Sequence, residues 1–332
     1  MRYRPLGRSG LTVSEIGFGT WGLGGVAYGP VDDAESRAAL DYAFEQGVNF
    51  YDTSDLYGDG HAEAILGEVF RRRRDQVVMA TKGGMLPHAT FEMPQDFSRA
   101  HLNRALDASL ARLGSDYVDI YQLHSPPIDL PSWDEVRGTL HSMVASGKVR
   151  SAAISTRSPA DALVAIEQLG FRVIEVNFNM IDQRAVTSGL FARCVELSVG
   201  VIARTPLCFG YLAGTMTGDE TLTPGDHRAN WPKEQLRRWA QSPRLFAPLV
   251  DGRGRTISQL ALQYCLSEPA VSTAIPGMLT RTQARENISV TDLPTLSGAD
   301  AETIRESYAQ NIFYDPSSKS QPPAGSAGSR NS

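Results

Sequence analysis

The sequence predicts an α/β protein, a (β/α)8 TIM barrel with an N-terminal hairpin and a long loop after its seventh strand. Two observations carry the prediction. Eight short apolar runs alternate with eight amphipathic stretches along the chain. Each run is nearly continuous in apolar, β-branched or aromatic residues, as expected of parallel strands buried on both faces. Eight strands each followed by a helix is the count of a barrel. An open doubly wound sheet shows the same alternation, so the count by itself does not choose between them.

In order, the strands are expected at 14–19, 48–52, 77–82, 117–124, 150–155, 173–178, 200–204 and 271–275. Helices are expected at 33–46, 63–72, 99–113, 133–146, 160–169, 190–198, 256–267 and 280–288. Several helices carry start signals: Ser98 precedes one, Ser132 stands three residues before Glu135, and Ser158-Pro159 opens another. Gly114 and Gly147 sit where helices should stop. Residues 1–13 contain Arg8-Ser9-Gly10 between extended pieces and read as a hairpin. Residues 205–255, rich in Gly, Pro, Trp and Arg, form the long loop, and such loops are usually functional. The barrel is expected over 1–315. The Ser/Pro/Gly tail at 316–332 has almost nothing apolar and is expected to be disordered.

Composition narrows the function classes. Of 332 residues, 42% are hydrophobic and 21% charged, which is enough apolar matter for a large core. Thirty-seven acidic against 32 basic side chains leave no global basic field for nucleic acid. No apolar run approaches the ~18 residues of a membrane span. Nothing after Met1 resembles a signal region. Cys194, Cys208 and Cys265 are scattered, without a disulfide or metal framework. These features lead us to expect a soluble cytoplasmic protein with buried thiols and no metal.

Four polar side chains fall at or just past the ends of three consecutive strands. Asp52 ends the second, with Tyr57 five residues later; Lys82 ends the third and His124 the fourth. In a barrel, active sites are built on that face. Lysine is scarce, occurring only at 82, 148, 233 and 319, and one at the end of an apolar strand needs a partner. An adjacent ammonium should lower the Tyr57 phenol from about 10 and make it a usable proton donor. Asp52 could pair with Lys82, and His124 could aim a substrate carbonyl.

The run Asn49-Phe50-Tyr51-Asp52-Thr53-Ser54-Asp55-Leu56-Tyr57-Gly58, followed by Gly60-His61-Ala62-Glu63, resembles the aldo-keto reductase superfamily. So do Gly17-Phe18-Gly19-Thr20-Trp21, Ala80-Thr81-Lys82, Tyr121-Gln122-Leu123-His124, and Ile275-Pro276-Gly277 with Glu286-Asn287. The likeness keeps its order through almost all of the chain outside the tail. It implies a barrel that reduces an aldehyde or ketone with hydride from NADPH, NADH not being excluded. Tyr57 is then the general acid, Lys82 and Asp52 its tuning pair, and His124 the carbonyl-orienting group.

For the cofactor, the resemblance implies Gly19, Thr20, Trp21 and Asp52 at the nicotinamide end. Ser155, Thr156 and Glu175 are placed at the carboxamide and Arg204 beside the ring. Thr205, Pro206, Leu207 and Phe209 follow the pyrophosphate, with Gly277, Thr280, Gln283, Glu286 and Asn287 around the adenosine. Relatives usually carry Asn at the position of Thr156, often Gln at that of Glu175, and an aromatic at that of Arg204. Many place Arg or Lys at positions 277, 279 or 283; Arg281 or Arg285 could substitute in gripping a 2′-phosphate. Substrate-pocket walls are expected from Trp21, Tyr28, Met85 and Trp231 beside Tyr57 and His124.

Two other readings accompany the carbonyl reductase. One is a ketoreductase for a sugar, including nucleotide-activated ones, in a biosynthetic pathway. The other is a slow-turnover, NADPH-binding redox sensor like channel β subunits. Expected partners are a small-molecule carbonyl substrate, with no nucleic acid and no membrane; an oligomer is compatible with each reading. The literal G-x-G-x-x-G at 17–22 does not open a helix, since Gly24, Gly25 and Pro30 intervene, so it does not read as a Rossmann fingerprint. The arginines at 71–74 read as the solvated, dipole-compensating end of the second helix. His88 and His227 are expected on loops.

Overall fold

The computed structural model describes residues 1–87 and 93–314, so His88 and the tail lie outside the described residues. The chain opens with an antiparallel hairpin, β1 (Tyr3–Pro5) and β2 (Thr12–Ser14), as expected. Eight parallel strands follow: β3 (Phe18–Gly19), β4 (Phe50–Asp52), β5 (Val78–Gly83), β6 (Val118–His124), β7 (Val149–Ser155), β8 (Val173–Asn177), β9 (Gly200–Arg204) and β10 (Val271–Ala274). Each pairs with the next in chain order. Parallel bridges Ile16 to Ala274 and Gly19 to Gly277 join the last strand to the first and close the barrel.

The helices are α1 (Asp33–Glu45), α2 (His61–Phe70), α3 (Arg99–Leu113), α4 (Trp133–Ala145), α5 (Pro159–Glu167), α6 (Arg184–Thr187), α7 (Leu190–Leu197), α8 (Lys233–Gln241), α9 (Ile257–Ser267), α10 (Arg281–Ile288) and α11 (Gly298–Gln310). Ser98 and Ser158 cap α3 and α5 by accepting the amide N–H of His101 and Asp161. Gly114 ends α3 in the left-handed conformation that glycine adopts without strain. Thr256 and Gln259 form a reciprocal capping box on α9.

Four expectations need correction. The first strand, expected over 14–19, is regular only at Phe18–Gly19, because Ser14 pairs backwards with Tyr3 in the hairpin. Ser132 makes no side-chain cap: its turned backbone, φ −97° and ψ 23°, is not the extended conformation a cap requires. The loop at 205–255 holds α8 and several 3-10 turns, the amphipathic α8 burying Leu236 and Trp239. Finally, 71–74 is not a uniformly solvated run. Arg71 and Arg72 are exposed, but Arg73 pairs with Asp41, and Arg74 reaches the fully buried Asp119 of β6 at 2.8 Å.

Strand periodicity positions the site. Side chains two apart on a strand share a face. Facing the barrel interior are Phe50, Val78, Ala80, Ile120, Ala153, Val173 and Ile202, packed with Leu6 and Val13 of the hairpin. The hairpin therefore plugs the bottom. Moving up each strand by two, the same inward column turns polar: Asp52, Lys82, Gln122 and His124, Ser155, Glu175 and Arg204. A dry apolar floor thus carries a layer of ionisable groups at the C-terminal ends of the strands, all but Arg204 buried.

Candidate active site

Above that layer lies a cavity of about 1060 Å³. Lys82 is fully buried beneath it, where burial alone would discharge the ammonium. Its partners prevent this. Nζ donates to Asp52 Oδ1, lies 3.2 Å from Glu175 Oε2, donates to the Thr53 carbonyl at 3.2 Å and reaches the Tyr57 hydroxyl at 3.4 Å. Against the cost of burial, Asp52 and Glu175 hold the lysine above its ordinary value. Gln122 Nε2 donates to both Asp52 Oδ2 and Glu175 Oε2 at 2.8 Å, tying the two carboxylates together. Burial and the nearby Glu175 raise Asp52, whereas Lys82 and Arg204 more than offset burial at Glu175 and lower it.

Tyr57 lies on the loop after β4, fixed by the close approach of two glycines. A Cβ on Gly58 would stand 2.2 Å from the Gly24 carbonyl oxygen, and Gly58 has φ +65°. The phenol is pushed up to about 12, because burial outweighs the pull of Lys82. This corrects the expectation of a lowered phenol; the lysine acts in the expected direction but does not win. His124 stands edge-on to Tyr57, ring centroids 6.3 Å apart, with Nδ1 3.2 Å from Ser54 Oγ.

The other expected positions divide into lining and supporting groups. Gly19, Gly277, Gln283, Glu286 and Asn287 line one end of the cavity. Pro206, Leu207 and Phe209 line it beside Thr205 and Arg204. Thr20, Ser155, Thr156 and Thr280 are absent from the lining. Thr20 donates to the Asp52 carbonyl at 2.9 Å, Ser155 to Glu175 at 3.3 Å, Thr156 accepts from Arg204 through its carbonyl at 3.0 Å, and Thr280 caps α10. Arg281 lies over the Tyr42 ring, 5.1 Å from its centroid, and neither it nor Arg285 lines the cavity. Trp21, Tyr28, Met85 and Trp231 all line it; Trp21 touches the rings of Tyr28 and His227 at 5.4 and 4.8 Å.

Sequence reasoning missed the roles of Gln122, Ser54 and Arg157, and the contact of Glu175 with Lys82. Arg157 lines the cavity next to Arg204, and the Nε of each is buried without a protein partner, as is Thr156 Oγ1. Such orphaned groups suit a polar ligand. The main chain after β9 is left-handed at Thr205, Cys208, Phe209 and Gly210, and the N–H groups of Cys208 and Gly210 close local turns onto the carbonyls of Thr205 and Leu207. A nicotinamide dinucleotide fits the unpartnered Arg157, Arg204 and Thr156 groups and a cavity of this volume.

The comparisons with known proteins agree with the geometry. The model of the aldo/keto reductase family matches residues 15–309. The NADH-specific methylglyoxal reductase of Escherichia coli is 30% identical over 328 residues, covering 92% of this chain and 98% of its own. The L-galactose dehydrogenase of Arabidopsis thaliana is 32% identical, covering 91% of this chain and 92% of its own. Among solved structures, the glycerol dehydrogenase of Gluconobacter oxydans superposes with a TM-score of 0.79 at 26% identity, over 95% of this chain and 97% of that one. The chain belongs to the aldo/keto reductase family and is an NAD(P)H-dependent oxidoreductase. Among the described residues, no helix is long and apolar enough to cross a membrane, and no cluster of His, Cys, Asp or Glu could hold a metal.

Proposed function

We propose that the protein reduces a small hydroxylated aldehyde or ketone to the alcohol, with Tyr57 as the general acid. The observation that carries this reading is the convergence of Tyr57, Asp52 and His124 on one cavity, with Lys82 buried beneath it against Asp52 and Tyr57. When bound, a reduced nicotinamide supplies hydride to the carbonyl carbon. The remaining chemistry belongs to the chain. His124 orients the carbonyl oxygen, and Tyr57 gives its proton to that oxygen as negative charge gathers there. A phenol near 12 is a sufficient donor, since an alkoxide is about as basic as hydroxide and so far more basic than the phenolate left behind. Lys82 then faces the phenolate at 3.4 Å and stabilises it.

The aromatic wall of Trp21, Tyr28, His227 and Trp231, with Arg228 and Asn230 among the lining groups, supports a small polar substrate. The names of the methylglyoxal, L-galactose and glycerol enzymes point to the same class. The sequence resemblance favours NADPH. At the cavity end lined by Gly277, Leu279, Gln283, Glu286 and Asn287, however, none of these lining residues is a cation, and Glu286 is a carboxylate. A 2′-phosphate gains little there, so we propose that NADH and NADPH serve within about tenfold of each other, ~1.4 kcal/mol.

The test is consumption of each nucleotide over a panel of oxoaldehydes, aldoses and hydroxyketones. Tyr57→Phe should lose about 10²–10⁴-fold in turnover with cofactor binding retained. Wild-type turnover that survives in Tyr57→Phe would show that another group is the acid.

A further inference from the structure

Beside the proposed acid lies a polar chain that the lysine network does not use. Ser54 Oγ is 3.0 Å from Asp55 Oδ1 and 3.2 Å from His124 Nδ1, and it accepts the Leu56 N–H at 3.2 Å. A serine hydroxyl has one hydrogen. It therefore cannot donate to the carboxylate and the imidazole at once. Whichever of the two does not receive that hydrogen must supply one of its own.

We infer that Ser54 and Asp55 are positioning residues that set the tautomer of His124, the protonation of Asp55 deciding which ring nitrogen carries the hydrogen. With Asp55 ionised, the charge-assisted bond takes the serine hydrogen, and His124 donates from Nδ1. A neutral ring then has an unprotonated Nε2, which cannot donate to a carbonyl oxygen. With Asp55 protonated, the acid donates to Ser54, Ser54 donates to Nδ1, and the hydrogen resides on Nε2. The inference rests on the reading of His124 as the carbonyl-orienting group.

The surroundings place the change in the neutral range. Burial, and then Glu63 of α2, push Asp55 up to about 7. Ser54, Arg112 of α3 and the Leu56 N–H act in the opposite direction. Arg112 is itself engaged by Glu63, its Nη2 2.6 Å from Oε2, which blunts its pull. The phenol of Tyr121 on β6 also faces Asp55, and its own value is raised, so it stays neutral there. Around His124, the Tyr57 phenol is likewise protonated at neutral pH. Because the folded value of Asp55 is raised, its carboxyl is protonated below about pH 7 and ionised above it.

The experiment is nitrogen-15 NMR of the full chain labelled at histidine, read from pH 6 to pH 8, with the His124 signals assigned by their loss in His124→Gln. In the wild type, His124 should pass from the Nε2–H to the Nδ1–H form as pH rises. Asp55→Asn keeps a donor toward Ser54 at every pH and should hold the Nε2–H form throughout. Ser54→Ala should remove the dependence on Asp55, and Ser54→Thr should restore it. Catalytically, kcat/KM should fall by about tenfold per pH unit above the Asp55 midpoint in the wild type and much less in Asp55→Asn. One tautomer throughout the wild-type range, a simple passage to the doubly protonated ring, or an unchanged titration in Asp55→Asn would each overturn the inference. A tautomer change in a protein that reduces no carbonyl would instead leave the relay standing and remove the proposed reaction.

Discussion

Replacing Lys82 by Met removes the fully buried cation that two buried carboxylates share. Met matches the lysine stem in volume, so the change isolates charge from packing. Breaking a buried ion pair by deleting one partner costs about 3–5 kcal/mol, since the other charge is left uncompensated. Here Asp52 and Glu175 are both left, joined by Gln122 and assisted by the Ser155 hydroxyl and the partly exposed Arg204. Without the ammonium, both carboxyls should have folded values above those of the unfolded chain, about 3.9 and 4.3. A folded state that holds its protons more tightly loses stability as pH rises past the unfolded values. The penalty should accordingly grow with pH, being smaller near pH 5 than near pH 8, where it should reach about 3 kcal/mol or more. Lysine titration in the parent does not confuse this comparison. Its raised value contributes stability that is fully present below the unfolded value and is lost only at higher pH. Urea unfolding at the two pH values reads the difference. Adding Glu175→Gln to the variant removes one of the stranded charges and should return about 1–3 kcal/mol at pH 8. An equal loss at both pH values, or no recovery from Glu175→Gln, would refute the shared-cation account.

Two further substitutions test the scaffold around the site. Gly58→Ala forces a Cβ against the Gly24 carbonyl at a positive φ, so it should cost about 1–3 kcal/mol; it should also lower kcat by displacing Tyr57, measured by thermal melts alongside turnover. Thr256→Ala breaks the capping box of α9 and should cost about 1 kcal/mol in urea unfolding; kcat should be retained because the cap lies outside the proton-transfer groups, while the cofactor KM should shift because Thr256 also donates to the cavity-lining Glu286 at 2.8 Å.

Much of this architecture is legible in the linear chain. Runs such as 117–124 are apolar enough to betray a strand buried on both faces, and the full burial of Val118–His124 bears this out. The strand-end positions of Asp52, Lys82 and His124 follow from the same reading. What the chain did not disclose is lateral. Glu175 meets Lys82 although two strands, β6 and β7, separate β5 from β8, because both occupy the inward column two residues above an apolar one, Val173 and Ala80. Gln122 bridges Glu175 to Asp52 for the same reason. Inward and outward columns can be told apart only once the barrel closes, since buried strands are apolar on both faces. The phenol shift was misjudged for a related cause: sequence supplies the neighbouring lysine but not the burial that outweighs it. Helix α8 escaped notice because its apolar residues are few and its surroundings rich in Gly and Pro.

The hairpin that plugs the barrel floor has a consequence for synthesis. Arg4 hydrogen-bonds the carbonyls of Leu266 and Val271, and Arg2 reaches that of Thr291, so this early segment finds its partners near the far end of the chain. At roughly 5–20 residues per second on the ribosome, some tens of seconds pass before those partners exist. Meanwhile Leu6 and Val13, both fully buried in the finished fold, have no complete floor to enter. Folding that depends on such distant pairs is slow, and the nascent chain exposes apolar surface while it waits. A circular permutant starting in the 250–254 turn would let this segment follow its partners directly, and should shorten that vulnerable interval.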